Sequence, residues 1–331
     1  MVKGWFLVKS TNGFFWFASA ILMLGALQLI ASIELSEAAW VGEAIYIKAD
    51  GSVEPEGSPI ATDDYVIYRL TSNVAADNGI IVQRDNIVID GCGCAIQGVG
   101  PQDSKGVGVN ATGRSGVVIK NVEISGFRYG ICLKDSSGIV LINNSINNNI
   151  NGIALWSSHN NTITKNTISS SESLNIYLWL SSGNIVVENS VARGRCGIWL
   201  DESSDNAFYH NNIADNAMQV YFTPGSLNSW DGGYPSGGNF WSNHRSIDEK
   251  SGSAQDKPGG DGIGDSPYPL DEVNVDRFPL MNPWPNRAVK VESSTGAGAV
   301  VFRSSPGLIV GLRAVPEESL PSVGELGAEF S

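Results

Sequence analysis

The sequence predicts an all-β chain wound as a parallel β-solenoid, and three observations carry that expectation. First, segments beginning at Gly116, Gly138, Asn161, Asn184 and Asn206 align without gaps, so the chain repeats itself every 22 or 23 residues. Second, runs within each unit, such as GVVIKNVEI from Gly116, GIVLINNSI from Gly138 and NIVVENSV from Asn184, alternate with period two and are rich in β-branched residues, which is the pattern of strands. Third, Asn, Gly and Ser recur at fixed places between those runs. A unit this short cannot bury its own apolar face, whereas stacked copies can.

Each unit supplies further strands in the same order. The second half reads GICL at Gly130, GIAL at Gly152, NIYL at Asn175, GIWL at Gly197 and QVYF at Gln219. An earlier unit, NIVIDGCGCAIQG from Asn86, fits the template, with an insertion over 101–115 before the next. Tyr65-Val-Ile-Tyr and Gly79-Ile-Ile-Val read as strands of a less regular start. Asn166 has counterparts 23 residues away at Asn143 and Asn189, and Asn121 and Asn211 lie 22 further out. Stacking about 4.8 Å apart puts equivalent positions above one another. Asn121, Asn143, Asn166, Asn189 and Asn211 are therefore expected to form a structural ladder of side-chain amides at a bend.

The same register sorts the faces. With Ile and Leu of the GIAL-type strands inward, Cys132, Ala154, Tyr177, Trp199 and Tyr221 form one outward column, and Lys134, Trp156, Trp179, Asp201 and Thr223 form the next. Trp156, Tyr177, Trp179, Trp199 and Tyr221 thus share an outer face with Asp201. Such a patch is either covered by another segment, for which 228–285 is the obvious candidate, or binds a partner. Aromatic faces suit stacking against sugar rings, with carboxylates and amides for the hydroxyls.

Bulk properties bound the remaining choices. The 331 residues are 17% charged, contain 38 glycines and carry a formal net charge of −13. That balance argues against nucleic acid as a partner. Lys3 and Lys9 precede an apolar run from Phe14 to Ile33 and small residues at Ser36, Ala38 and Ala39. Residues 1–39 are read as a signal peptide or an N-terminal membrane anchor, with the rest exported to be secreted or held at the cell surface. The solenoid is assigned to 40–227, an irregular C-terminal cap to 228–285, and two short strands or a disordered tail to 286–331. Within the cap, Asp256, Asp261 and Asp265 lie among Gly and Pro, which makes them candidate calcium ligands. No EF-hand spacing accompanies them, and the alternative to a calcium site is Asx-turns in a solvated acidic loop.

Taken together, IYIKADGSVEPEGSPI, DNIVIDGCGCAIQG, the repeats, GGNFWSN and DGIGDSPYPL resemble archaeal members of the NosD-type periplasmic β-helix family over about residues 44–283. The resemblance implies a right-handed parallel β-helix of the kind shared by carbohydrate-binding and sugar-hydrolase proteins. Its label also implies copper, which would call for clustered His, Met or Cys. His159, His210 and His244 are instead scattered over the sequence. Sugar-cleaving β-helix motifs are missing from the repeats; Asp201 and Glu202 are the nearest to an acidic pair, and adjacent strand residues point to opposite sides. The expected function is an exported carbohydrate-binding or envelope structural module. The alternatives are a polysaccharide lyase or hydrolase acting near Asp201, and a copper-handling accessory protein.

Overall fold

The computed structural model describes residues 39–101, 105–223 and 225–285. The expected export segment lies outside the described residues except for its last residue, and the expected tail lies outside them altogether. Among the described residues all regular structure is strand, and no helix is long and apolar enough to cross a membrane.

A regular coil lays three strands on three walls. In the coil that begins at Val118, Val118–Lys120 lies on the first wall, Glu123–Ser125 on the second and Tyr129–Lys134 on the third. Coil on coil, these become parallel sheets of eight strands in the first wall and nine in each of the others, with one antiparallel strand at the N-terminal edge of the first and third. Register is strict: Ile119 pairs with Leu141, and Leu141 with Ile163. The inward columns form one continuous core, with Ile119, Leu141, Ile163, Val186 and Phe208 from the first wall and Ile124, Ile146, Ile168, Val191 and Ile213 from the second all fully buried. No single coil closes this core, so burial comes only from stacking.

Most corners between walls follow one recipe, a left-handed residue followed by an inward polar one. Between the first and second walls the left-handed column is Asn121, Asn143, Lys165, Glu188 and His210, with φ from 54 to 59°. Asn tolerates this region better than other side chains except Gly. The inward column beside it is Asn144, Asn166, Asn189, Asn211 and Asn239, each at most 2% exposed. From Asn166 onward each Oδ1 accepts from the backbone N and the Nδ2 of the coil below, as Asn189 Oδ1 does from Asn166 at 2.9 and 3.1 Å, while Asn144 Oδ1 accepts from Val122 N. Each Nδ2 also donates to a backbone carbonyl beneath it; for Asn189 this is Ile163 at 2.8 Å. The polar groups of the bend are thereby satisfied in a dry interior.

This corrects the expected ladder. Asn166, Asn189 and Asn211 share the buried column, whereas Asn121 and Asn143 belong to the left-handed column one residue earlier. There Asn143 Nδ2 donates to Asn121 Oδ1 at 2.8 Å and Asn121 Nδ2 to Asp90 at 3.0 Å. The true partner of Asn166 in the coil below is Asn144. A second ladder, Asn161, Asn184, Asn206 and Asn228, serves the corner between the third and first walls.

The cap finishes the coil end. Trp230 stacks on Phe208 with centroids 4.5 Å apart, and Tyr268 on Trp241 at 4.4 Å. Phe240–Trp241 adds a strand to the second wall. The short hairpin Tyr268–Pro269 with Val275–Asp276 terminates both ladders. Asn228 N donates to Asn274 Oδ1 at 3.0 Å, and Asn239 N to Asp276 Oδ2 at 2.7 Å.

Candidate functional site: the aromatic face of the third wall

The third wall has the longest strands, six residues in each of four coils from Tyr129–Lys134 to Cys196–Asp201. Its two outward columns stand in register: Cys132, Ala154, Tyr177, Trp199 and Tyr221 in one, Lys134, Trp156, Trp179 and Asp201 in the other. Trp179 is 39% and Tyr221 38% exposed, and Trp156, Tyr177, Trp199 and Asp201 are half-buried. The described cap residues pack against the coil end and the second wall, through Phe208, Asn212 and Ile213. They leave this face open.

Side-chain size grades the surface along the axis. Where the central column is small, at Cys132 and Ala154, both residues are buried outside the apolar core, and Tyr129 and Trp156 meet edge to face at 5.1 Å across them. Where it is large, Trp199 and Tyr221 lean together at 4.1 Å and 40°. Sequence reasoning missed Tyr129, because strict alternation from Ile131 points it inward. Gly130 breaks that alternation: a Cβ there would sit 2.7 Å from core Ile146 Cγ2, so both Gly130 and Ile131 face in and Tyr129 turns out. Met218 and Leu180, 45% and 37% exposed, extend the apolar surface at the rim.

Asp201 ends its strand, and Glu202, with φ 47°, begins the corner, where its N donates to Thr223 Oγ1 at 2.9 Å. The two carboxylates therefore part company. Among the described residues the Asp201 carboxylate makes no hydrogen bond and no ion pair. Tyr177, next to it on the wall, has its phenol pushed above the usual range, first by burial and then by the charge of Asp201.

The three acidic residues of the cap do not converge. Asp261 accepts from Gly252 N, Gln255 Nε2 and Ile263 N, Asp265 accepts from Glu249 N and Lys250 N, and Asp256 is exposed. Asp261 makes an Asx-type turn through Ile263 N, and Asp265 ties down the distant backbone at Glu249 and Lys250. Among the described residues no three His, Cys, Asp or Glu side chains come together as a metal-ligand group.

The fold and the broad open wall define a parallel β-helix protein. The chain matches the model of the family described as periplasmic copper-binding protein (NosD) over residues 37–246, and it belongs to that family. The description puts the β-helix outside the cytoplasm. Among solved structures, the periplasmic alginate epimerase AlgG is similar at 20% identity and a TM-score of 0.39, over 45% of this chain and 38% of the epimerase. Tailspike protein 2 from Escherichia coli O157:H7 bacteriophage CAB120 is similar at 13% identity and a TM-score of 0.36, over 53% of this chain and 28% of the tailspike. Alginate lyase from Paenibacillus sp. str. FPU-7 is similar at 12% identity and 0.25, over 49% of this chain and 74% of the lyase. No curated protein matches the sequence.

The copper in the family description does not fit the residues present. His159 Nδ1 lies 3.2 Å from Ser182 N, His210 stacks on Trp284 at 3.7 Å with Nε2 at Ser236 O, and His244 Nε2 faces Ser266 O. No two of these imidazoles share a site. Burial pushes the Cys132 and Cys196 thiols up to about 11, which keeps them protonated and poor metal ligands. Cys92 and Cys94 sit in a turn, with Cys92 at φ 52°.

Proposed function

We propose that this protein is an extracytoplasmic polysaccharide-binding β-helix whose ligand lies along the third wall. One observation carries the reading: five aromatic side chains from four consecutive coils share one outward face that the described cap residues leave uncovered. Coils recur about every 4.8 Å, so the columns offer a regular row of ring faces along the solenoid axis, suited to successive sugar units. The cross-wall register fixes that row, since Trp156, Tyr177, Trp179 and Trp199 stand on strands hydrogen-bonded to both neighbours and Tyr221 on the strand that ends the sheet. Little ordering entropy is then lost when a chain docks.

Binding is favoured over cleavage by the same geometry. Glycoside hydrolysis needs two carboxyl groups flanking one bond, and Asp201 is the single carboxylate in the two outward columns. Its neighbour Glu202 leaves the wall at the corner.

The test is affinity electrophoresis and calorimetry of the full chain against a panel of envelope and storage polysaccharides. At least one should bind, and Trp179→Ala with Trp199→Ala should weaken it by tenfold or more, with the unfolding midpoint held within the wild-type range. Unchanged binding in the double variant would remove the wall as the site. New reducing ends or unsaturated products in the same mixtures would turn the reading toward catalysis near Asp201. Stoichiometric copper in protein purified after export would restore the metal-handling alternative.

A further inference from the structure

The square of side chains Tyr177, Trp179, Trp199 and Asp201 is the most specific feature of the wall. Tyr177 pairs with Trp199 and Trp179 with Asp201 across two adjacent coils, so four outward positions form a two-by-two array with aromatic rings at three corners and a carboxylate at the fourth. We infer that this array is an ammonium site, and that the glycan bound by the wall is an amino-sugar polymer carrying free amines. The inference rests on the polysaccharide-binding reading and assigns its ligand class.

Three considerations lead there. Among the described residues five carboxylates find a cation, in Lys48–Glu54, Arg114–Asp85, Lys120–Asp90, Lys165–Glu188 and Arg277–Asp231, and the only one of these pairs on the third wall, Lys48–Glu54, sits at the opposite end of the sheet from Asp201. Asp201 is half-buried without such a partner, so its carboxylate is open to a cation brought by a ligand. Lys134, the one base in the two columns, stands three coils below Asp201, about 14 Å away at the coil spacing. Arg193 and Arg195 precede the far end of the strand, roughly 20 Å off at the strand rise. Both distances exceed the Debye length of about 10 Å at moderate salt. Glu202 and Asp205 follow at the near end, which keeps that side of the wall negative, in a chain of net charge −13.

The aromatic corners act in the same sense. Ring faces are negative, and Trp is the best of them for holding a cation. A sugar ammonium seated over Trp179 or Trp199 donates to the Asp201 carboxylate in a charge-assisted bond, while the pyranose ring stacks on the next aromatic of the column. An N-acetylated sugar keeps the stacking and loses the charge. A uronate brings a second carboxylate against Asp201 and is repelled.

The experiment is titration calorimetry of the full chain with glucosamine, N-acetylglucosamine and mannuronate oligomers of equal length, at low salt and at a pH where the amines are protonated. The expected result is preference for the glucosamine oligomer by about tenfold or more over the acetylated one, weakening as salt is added. Asp201→Asn, a half-exposed and isosteric change, should remove about tenfold of that affinity and weaken binding of the acetylated oligomer by much less. Equal or tighter binding of the acetylated or uronate oligomer would overturn the amine site while leaving the polysaccharide reading standing. So would Asp201→Asn binding the glucosamine oligomer as the wild type does. Absence of binding to the glucosamine oligomer also overturns it, and the broader panel then decides the parent reading separately.

Discussion

Asn166 Oδ1 lies 2.9 Å from both the backbone N and the Nδ2 of Asn144, one coil below. Asn166 Nδ2 in turn donates to Leu141 O and to Asn189 Oδ1. One amide thus satisfies polar groups in three coils at a site 1% exposed. Asn166→Ala leaves the Asn144 N–H and one Asn144 Nδ2 proton without partners. At about 1–3 kcal/mol for each stranded group, partly relieved by relaxation, the loss should be about 2 kcal/mol or more. Asn143→Ala, on an exposed left-handed position, should cost only about 1 kcal/mol. Urea unfolding of the two variants measures the contrast; equal losses would mean that the buried column is not the structural one.

The left-handed column makes a converse prediction. Lys165 adopts φ 56°, the same as Asn143 below it, without the tolerance that Asn brings. Its ion pair with Glu188 is 3.7 Å long and its side chain is 62% exposed, so that pair contributes little. Lys165→Asn should therefore stabilise the protein by about 0.5–1 kcal/mol, read from the same urea transitions. A loss would show that the exposed pair outweighs the backbone preference.

What the sequence made legible follows from stacking. Period, walls and outward columns depend only on which residues are equivalent between coils, and the apolar and Gly positions mark that equivalence. The ladder was misread by one residue for a local reason. The corner after Thr167–Ser169 spends four residues before Leu174, whereas the corners after Ser145–Asn147 and Ser190–Ala192 spend three. An offset of 23 is right only across that longer corner. Asn143 to Asn166 does not cross it, and adjacent asparagines at Asn143 and Asn144 hid the slip. The cap was expected where the repeat stops, but its contacts were not legible, because Asn239 meets Asp276 across 37 residues with no repeat to announce it.

That contact carries a pH dependence. Burial pushes the Asp276 carboxyl up to about 7, although Asn239 N, Trp241 Nε1 and Phe278 N all donate to it. An unfolded carboxyl ionises near 3.8, so between about pH 4 and 7 the folded cap holds a proton that the unfolded chain has lost. Its stability contribution is complete below that window and declines as pH rises through it, by at most roughly 4 kcal/mol. Asp231 runs the other way. Burial pushes it up, but the bidentate Arg277 guanidinium and backbone donors bring it below the usual range, so its contribution is lost as pH falls through that lowered value. The fluorescence-detected unfolding of the cap tryptophans Trp230 and Trp241 should weaken from pH 4 to 7 in the wild type. Asp276→Asn should flatten that decline. A wild-type profile that is flat or rises over that range would refute the assignment.

The irregular coil carries its own compensation. The inward corner column between the second and third walls runs Asn149, Ser171, Gly194 and Asn216, with Gly194 the member that has no side chain, and the strand-start column has Gly130, Gly152 and Gly197 but Asn175. The two exceptions occupy one space: a Cβ on Gly194 would lie 2.6 Å from Asn175 Nδ2. Asn175 does the work of the missing corner amide. Its Oδ1 accepts from Ser171 N at 3.3 Å, and its Nδ2 donates to Ala192 O at 3.0 Å and Asn216 Oδ1 at 2.9 Å. Asn175→Gly alone strands those groups and opens a void, and Gly194→Asn alone collides with Asn175, so each should cost about 2 kcal/mol or more. The double variant restores the arrangement of a regular coil and should be less destabilised than either single change. That predicts a coupling of at least about 2 kcal/mol between two residues 19 apart in sequence. Additive losses in the urea-unfolding cycle would show that the two sites do not share one amide position.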